Sequence, residues 1–206
     1  MIDSKSIDRK VMRVRFPPPA LMKLIIGLVG EKGSGKGTFV KFLQEIEPKS
    51  SSIRYSDILI ETLKLWSLPL TRSNLQSLAT VMDKEYGNGT LANAVKPRIQ
   101  SLTGDIVIVD GIRRWPEAEL IRSFPNHLII YVTADPKTRY QNLNSKSDKA
   151  EEAGLSMEQF MKEEADEAEM LIPEIGKTAD FKITNNGTLE ELKKQVTEIM
   201  PRLERI

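Results

Sequence analysis

Apolar runs and amphipathic stretches alternate along the chain from Met22 onward. Residues 23–29 (KLIIGLV) are apolar and β-branched and lead into a glycine-rich turn, which predicts a parallel strand buried on both faces. Residues 36–46 follow the helical period, with Phe39, Val40, Phe42, Leu43 and Ile46 on the apolar side. A weaker strand is expected at 52–55 and helices at 57–65 and 73–86; in the last, Leu75, Leu78, Ala79 and Met82 recur at i, i+3, i+4 and i+7. Gly87 and Gly89 break that helix, and Thr90 is expected to cap another that runs to about residue 100. IVIVD (106–110) and LIIYV (128–132) are the clearest buried strands; Asp135 and Pro136 then form a cap with proline at the first helical position. Residues 141–155 are polar and poorly patterned. Ser156 opens an acidic helix to about residue 171, with Glu158 and Gln159 near the capping-box position. A strand at 179–183 and an amphipathic helix at 188–200 close the pattern. Strands separated by helices predict a three-layer α/β/α fold around a mostly parallel five-stranded sheet.

The first 21 residues break this regime. They show no sustained apolar period, and Pro17, Pro18 and Pro19 forbid regular helix or sheet there. They carry no apolar core of a secretory signal either. VRFP (14–17) can be encoded by GTT-CGA-TTC-CCG, the common T-arm sequence of a transfer RNA gene. The expectation is an extension read through from upstream of a start at Met22, or else a disordered tail. Residues 22–206 then form the working domain.

Composition narrows the partners. A net charge of +1 and a pI near 7.8 give no electrostatic case for nucleic acid or a membrane surface as the main partner. There are no cysteines, which excludes disulfides and thiolate metal sites, and the single histidine, His127, speaks against a His-based zinc site or a Ser-His-Asp triad. No apolar run approaches the roughly 18 residues of a membrane span. The cytoplasm is the default location, and the chain is expected to act as a monomer or homodimer. Trp66 and Trp115 are read as core packing or half-buried platforms, His127 as a strand-entry residue, and the acidic run 163–169 as a solvated helix face.

The chemistry starts at GLVGEKGSGKGT, residues 27–38. Gly30, Gly35 and Lys36, with Gly33 and Ser34 between them, almost complete the phosphate-cradling pattern G-x-x-x-x-G-K-[ST], but Gly37 follows the lysine and the hydroxyl arrives at Thr38. The loop leaves a predicted strand and opens a predicted helix. Glycines let backbone N–H groups approach oxyanions, the helix N-terminus adds positive potential, and Lys36 brings a mobile charge to the outer phosphates. Asp110, at the end of a buried strand, is placed to orient Mg²⁺ through a bound water. Arg113 and Arg114 follow it at a strand's carboxyl end, where anions bind.

GxxGxGKGT resembles the loop of adenylate kinase and related nucleoside monophosphate kinases, with Gly30, Gly33, Gly35, Lys36, Gly37 and Thr38 all matching. The resemblance implies ATP as donor, Mg²⁺ held mainly by phosphates and water, and Thr38 bonding an inner phosphate. Gly111–Arg114 resembles the DGxxR segment whose arginine clamps the acceptor phosphate, so Arg114 is favoured for that role, with Arg113 its rival. RYSDILIE (54–61) resembles the start of the acceptor-binding region; in dephospho-coenzyme A kinases an aspartate near Asp57 takes a proton from a ribose hydroxyl. The alternative for Asp57 is a helix cap. ADFKITNNGTLEEL (179–192) resembles the last strand and helix of such proteins, which puts Asn185 beside the nucleotide base. By the same likeness, helices over about 57–101 bind a small nucleotide-like acceptor, and a lid over about 141–168 closes on it. Two departures stand out. Ile60 replaces an acceptor-binding arginine, and of the lid arginines only Arg139 remains, with Asn142 and Lys146 where others are expected. The expected function is transfer of a γ-phosphoryl group to a nucleoside or deoxynucleoside monophosphate. Dephospho-coenzyme A is the alternative acceptor, and an ATP-binding regulatory module the alternative of another class.

Overall fold

The computed structural model describes residues 23–145, 156–165 and 167–203. The extension 1–21, Lys146 and most of the polar stretch between 141 and 155 lie outside the described residues.

Five strands form one sheet in the order β2-β3-β1-β4-β5: β1 (Leu24–Val29), β2 (Ser50–Arg54), β3 (Ile106–Ile112), β4 (His127–Thr133) and β5 (Phe181–Thr184). All four ladders are parallel. Each crossover is therefore helical: α1 (Lys36–Ile46) leads from β1 to β2, while α2 (Tyr55–Leu65), α3 (Arg72–Tyr86) and α4 (Thr90–Ser101) lead from β2 to β3. Beyond β3 come α5 (Trp115–Arg122) before β4, then α6 (Pro136–Ser145), α7 (Met157–Glu164) and α8 (Glu167–Gly176) before β5, and finally α9 (Leu189–Leu203).

The apolar runs of the central strands are continuous because both faces are covered. Leu24, Ile26 and Leu28 of β1 point to one face, where α1 supplies Phe39 and Leu43 and α9 supplies Leu192, Val196 and Ile199. Ile25 and Val29 point to the other, against Val95 and Ile99 of α4, Ile121 of α5 and Ile172 and Ile175 of α8. At about 25 cal/mol per Å² of apolar surface removed from water, these two layers supply most of the driving force for folding.

Several elements differ from the sequence-based expectation. α5 was not anticipated, because its eight residues are too few to show a period; Pro116 in its first turn and the Glu117 carboxylate start it. β3 continues two residues past Asp110, the ladder slipping at Leu28/Val29 while Gly111 adopts φ 96°. The helix expected over 156–171 is two, α7 and α8. Its cap is as expected: Gln159 N–H donates to Ser156 Oγ at 3.1 Å and Ser156 N–H to Gln159 Oε1 at 3.0 Å. The acidic run is not a solvated face, since Glu169 is buried and Glu163 and Glu164 form ion pairs. Trp115 packs against the core, as read, whereas Trp66 is exposed beside Leu65, Leu68 and Leu70.

Candidate functional site

The phosphate loop occupies residues 30–35, between the end of β1 and the first turn of α1. It is wedged among neighbouring backbone and amide groups. A Cβ added to Gly30 would lie 2.1 Å from the Val132 carbonyl oxygen, one on Gly33 2.4 Å from that of Arg139, and one on Gly35 2.3 Å from Asn185 Nδ2. Gly33 and Gly35 also hold φ of 77° and 97°, which side chains disfavour. Two amides pin the loop from outside: Asn142 Nδ2 donates to Gly33 O at 2.9 Å and Asn185 Nδ2 to Ser34 O at 3.0 Å. The position where an arginine was expected, Asn142, thus serves as loop scaffold.

Lys36 Nζ donates to Gly30 O at 2.6 Å and Glu31 O at 3.0 Å, so its ammonium lies across the mouth of the loop. Burial pushes its pKa below the ordinary lysine value; Asp110 draws it back up, Arg113 lowers it further, and Glu169 and Glu31 raise it. Asp110 stands opposite Leu28 of β1 and Arg54 of β2 in register, so the aspartate and the lysine meet where the chain switches between β1 and β3. Asp110 Oδ1 and Ser34 Oγ are buried with no hydrogen-bond partner among the described residues. A water-bridged Mg²⁺ and the phosphates of ATP fit these orphaned oxygens, the glycine cradle and the mobile ammonium.

Arg113 and Arg114 diverge. Their backbone N–H groups both donate to Glu117 Oε2, at 2.6 and 3.1 Å. Burial pushes the Glu117 carboxyl up, and those two bonds partly offset the shift. The Arg113 side chain reaches Glu169 Oε1 at 2.7 Å, on the Lys36 side, whereas Arg114 pairs with Asp83 of α3. Arg139 donates Nε to Ala134 O at 2.9 Å and pairs with Glu164 of α7, its guanidinium 5.5 Å from the Phe160 ring centre. Asp57 sits at the third position of α2: Oδ2 accepts from Arg54 N–H at 2.9 Å, and Oδ1 pairs with the Arg54 guanidinium at 2.8 Å. The structure therefore gathers Gly30, Gly33, Ser34, Gly35, Lys36, Asp110, Arg113, Arg139 and Asn185 around one end of the sheet. Gly37 and Thr38 follow on the first turn of α1, while Arg114 and Asp57 face local partners.

Sequence reading missed Glu31, Lys32, Arg72, Glu163 and Glu169. Glu31 is buried inside the loop, its Oε1 accepting from the Tyr131 hydroxyl; burial and that neighbour push the Tyr131 pKa up to about 12. Arg72 pairs with Glu163 and Glu169. A cleft of about 470 Å³ opens beside them, lined by Glu31, Arg139, Glu164, Glu169, Met170 and Pro173 among others. Among the described residues no helix is long and apolar enough to cross a membrane.

A family model described as an AAA domain matches residues 29–158, more than half of the chain. A UPF0200 protein of Sulfurisphaera tokodaii is 34% identical over 179 residues, covering 87% of this chain and 97% of its own. The UPF0200 protein TK1334 of Thermococcus kodakarensis is 28% identical over 190 residues, 87% of this chain and all of its own. Among solved structures, TT1252 from Thermus thermophilus superimposes with a TM-score of 0.57 at 19% identity, over 88% of this chain and 98% of its own. A shikimate kinase from Bacteroides thetaiotaomicron gives 0.59 at 14% identity over the same shares. At such identities the likeness bears on the fold, which is that of P-loop kinases. With the loop, the strand order and these relatives in agreement, the chain belongs to the AAA domain family (AAA_17) and to the UPF0200 proteins.

Proposed function

We propose that the chain is an ATP-dependent small-molecule kinase that transfers the γ-phosphoryl group to a nucleotide-like acceptor, in the manner of nucleoside and deoxynucleoside monophosphate kinases. The observation that carries it is Lys36 lying across the cradle, with Asp110, whose Oδ1 has no partner among the described residues, and Arg113 both close enough to shift its pKa. Backbone N–H groups of the loop bind the phosphates and the Lys36 ammonium moves from its loop carbonyls onto the outer ones. Thr38 bonds an inner phosphate, and Asn185, already tied to the Ser34 carbonyl, lies beside the base. When bound, Mg²⁺ offsets the charge of the transferring phosphoryl group, its water held by Asp110. Arg113 takes first place as acceptor clamp because its side chain turns to the Lys36 side, whereas Arg114 turns to Asp83 of α3; Arg139 is held ready by Ala134 and Glu164.

Asp57 bears on the acceptor. A hydroxyl acceptor needs a carboxylate to take its proton, whereas a phosphate is already anionic. Both Asp57 oxygens are committed to Arg54, which favours a nucleoside monophosphate over dephospho-coenzyme A. The regulatory reading has its own support, because carboxylates already neutralise Arg72, Arg113 and Arg139.

The test is a transfer screen with MgATP against each ribo- and deoxyribonucleoside monophosphate and dephospho-coenzyme A, recording ADP and phosphorylated product. Turnover of a monophosphate that disappears in Lys36→Ala is the expected result. ATP binding with no acceptor turned over would sink the kinase reading and leave the regulatory one.

A further inference from the structure

Arg72 opens α3, 36 residues beyond Lys36, and belongs to none of the phosphate-site motifs. Its Nη1 donates to Glu163 Oε2 at 2.7 Å, and its Nη2 lies 3.4 Å from Glu169 Oε1. Each carboxylate is shared with a second cation. Glu163 Oε2 also accepts from Lys32 Nζ of the phosphate loop at 3.0 Å, and Glu169 Oε1 from Arg113 Nη1 at 2.7 Å. The three cations come from three separate segments, the loop, α3 and the end of β3, while both carboxylates come from α7 and α8.

This placement is costly unless it does something. The Glu169 side chain is only 4% exposed, and its Oε2 has no partner among the described residues. Taking a carboxylate out of water costs several kcal/mol, which cationic donors must offset. Guanidinium groups that converge on one carboxylate oxygen bind a phosphoryl oxygen with the same geometry, and more strongly where the ligand carries more charge.

We propose that Lys32, Arg72 and Arg113 form one oxyanion site for the phosphoryl or carboxylate group of an anionic acceptor, and that Glu163 and Glu169 fill this site and compete with the ligand. The site makes good the acceptor arginine that Ile60 replaces. It rests on the kinase reading only in calling the oxyanion an acceptor; the competition is a property of the chain alone. If the ion pairs merely fastened α7 and α8 to the body, removing a carboxylate would weaken the fold and leave anion affinity where it was. If the carboxylates compete, removing one tightens anion binding. The two cases differ in the quantity that moves.

The experiment is calorimetric titration of the full chain with inorganic phosphate, with and without saturating MgADP, which occupies the loop's own phosphate site. Wild type is compared with Glu163→Gln, Glu169→Gln and Arg72→Gln. Glu45→Gln, whose partner Lys193 lies on the opposite side of the sheet, controls for net charge. Circular dichroism melting checks each fold. The expected result is phosphate bound roughly tenfold more tightly by each glutamate variant and roughly tenfold more weakly by Arg72→Gln, the size of shift that loss of one charge-assisted contact gives, with Glu45→Gln unchanged. Unchanged or weaker binding by a folded Glu163→Gln, or unchanged binding by Arg72→Gln, overturns the proposal. Should Glu169→Gln fail to fold, Glu163→Gln, whose side chain is 29% exposed, decides alone. Absence of MgADP binding would count against the kinase reading, while the order of phosphate affinities among the variants would still decide the site.

Discussion

Two glycines four residues apart, Gly33 in the loop and Gly37 in the first turn of α1, should respond to alanine with opposite signs. Gly33 holds φ 77°, and its added Cβ would stand 2.4 Å from the Arg139 carbonyl oxygen and 3.0 Å from the carbonyl carbon. A left-handed backbone costs a side-chain-bearing residue about 1–2 kcal/mol. Contact with backbone rather than a flexible side chain adds an overpacking term of about 1–3 kcal/mol. Gly33→Ala should therefore lose about 2–5 kcal/mol. At roughly 2–4 °C per kcal/mol for a chain of this size, that is a fall in Tm of roughly 4–20 °C. It should also weaken MgATP binding, since the loop must move away from α6. At Gly37 an added Cβ meets nothing within 4 Å, and the residue lies in the first turn of α1. There alanine should gain up to about 0.5–1 kcal/mol of helix propensity, a rise of roughly 1–4 °C. Melting by circular dichroism and ATP titration of both variants are the assays. A Tm for Gly33→Ala within 2 °C of wild type, or a loss of stability in Gly37→Ala, would refute the reasoning.

Other perturbations follow from buried groups. Burial raises the Glu117 carboxyl above 4.5, so ionising it costs folding free energy. The stability it contributes is full below its unfolded pKa and is lost as pH rises through the folded value. Urea melts of Glu117→Gln, whose amide oxygen can still accept from Arg113 and Arg114, should gain on wild type as pH rises from about 4 to 7; a pH-independent difference would contradict the assignment. Phe160 is fully buried, with the Arg139 guanidinium over one side and Tyr140 edge-on at 5.7 Å. Phe160→Ala should cost about 3–5 kcal/mol, read as a Tm loss. A loss below about 5 °C would mean that α7 opens apart from the rest of the fold.

Local pattern was enough for what local pattern governs. The apolar strands, the period of α1 and α3 and the cap at Ser156 were readable because each depends on residues within a turn or two. The loop was readable for the same reason, its glycines and Lys36 lying within seven positions. α5 escaped because eight residues opened by Trp115 and Pro116 look like a turn until Ala118 and Ile121 find the core. The division of labour between Arg113 and Arg114 was out of reach for another reason. Adjacent residues leaving a strand point in different directions, and only the positions of Asp83 and Glu169 decide which of them faces Lys36.

The acidic run shows most sharply where composition misleads. A stretch of glutamates on a helix is ordinarily solvated, since each buried carboxylate costs several kcal/mol. That inference holds only while no cations wait in the body of the fold. Here Arg72 lies 91 residues from Glu163 and 97 from Glu169, and Arg113 lies 56 from Glu169, separations across which no sequence period speaks. Lys32, Arg72 and Arg113 lie close enough to share carboxylates, and a cluster of cations repels itself unless anions intervene. The lack of arginine in α7 and α8 and their wealth of glutamate are then two sides of one arrangement: the loop, α3 and the end of β3 supply the cations, and α7 and α8 supply the counter-charge.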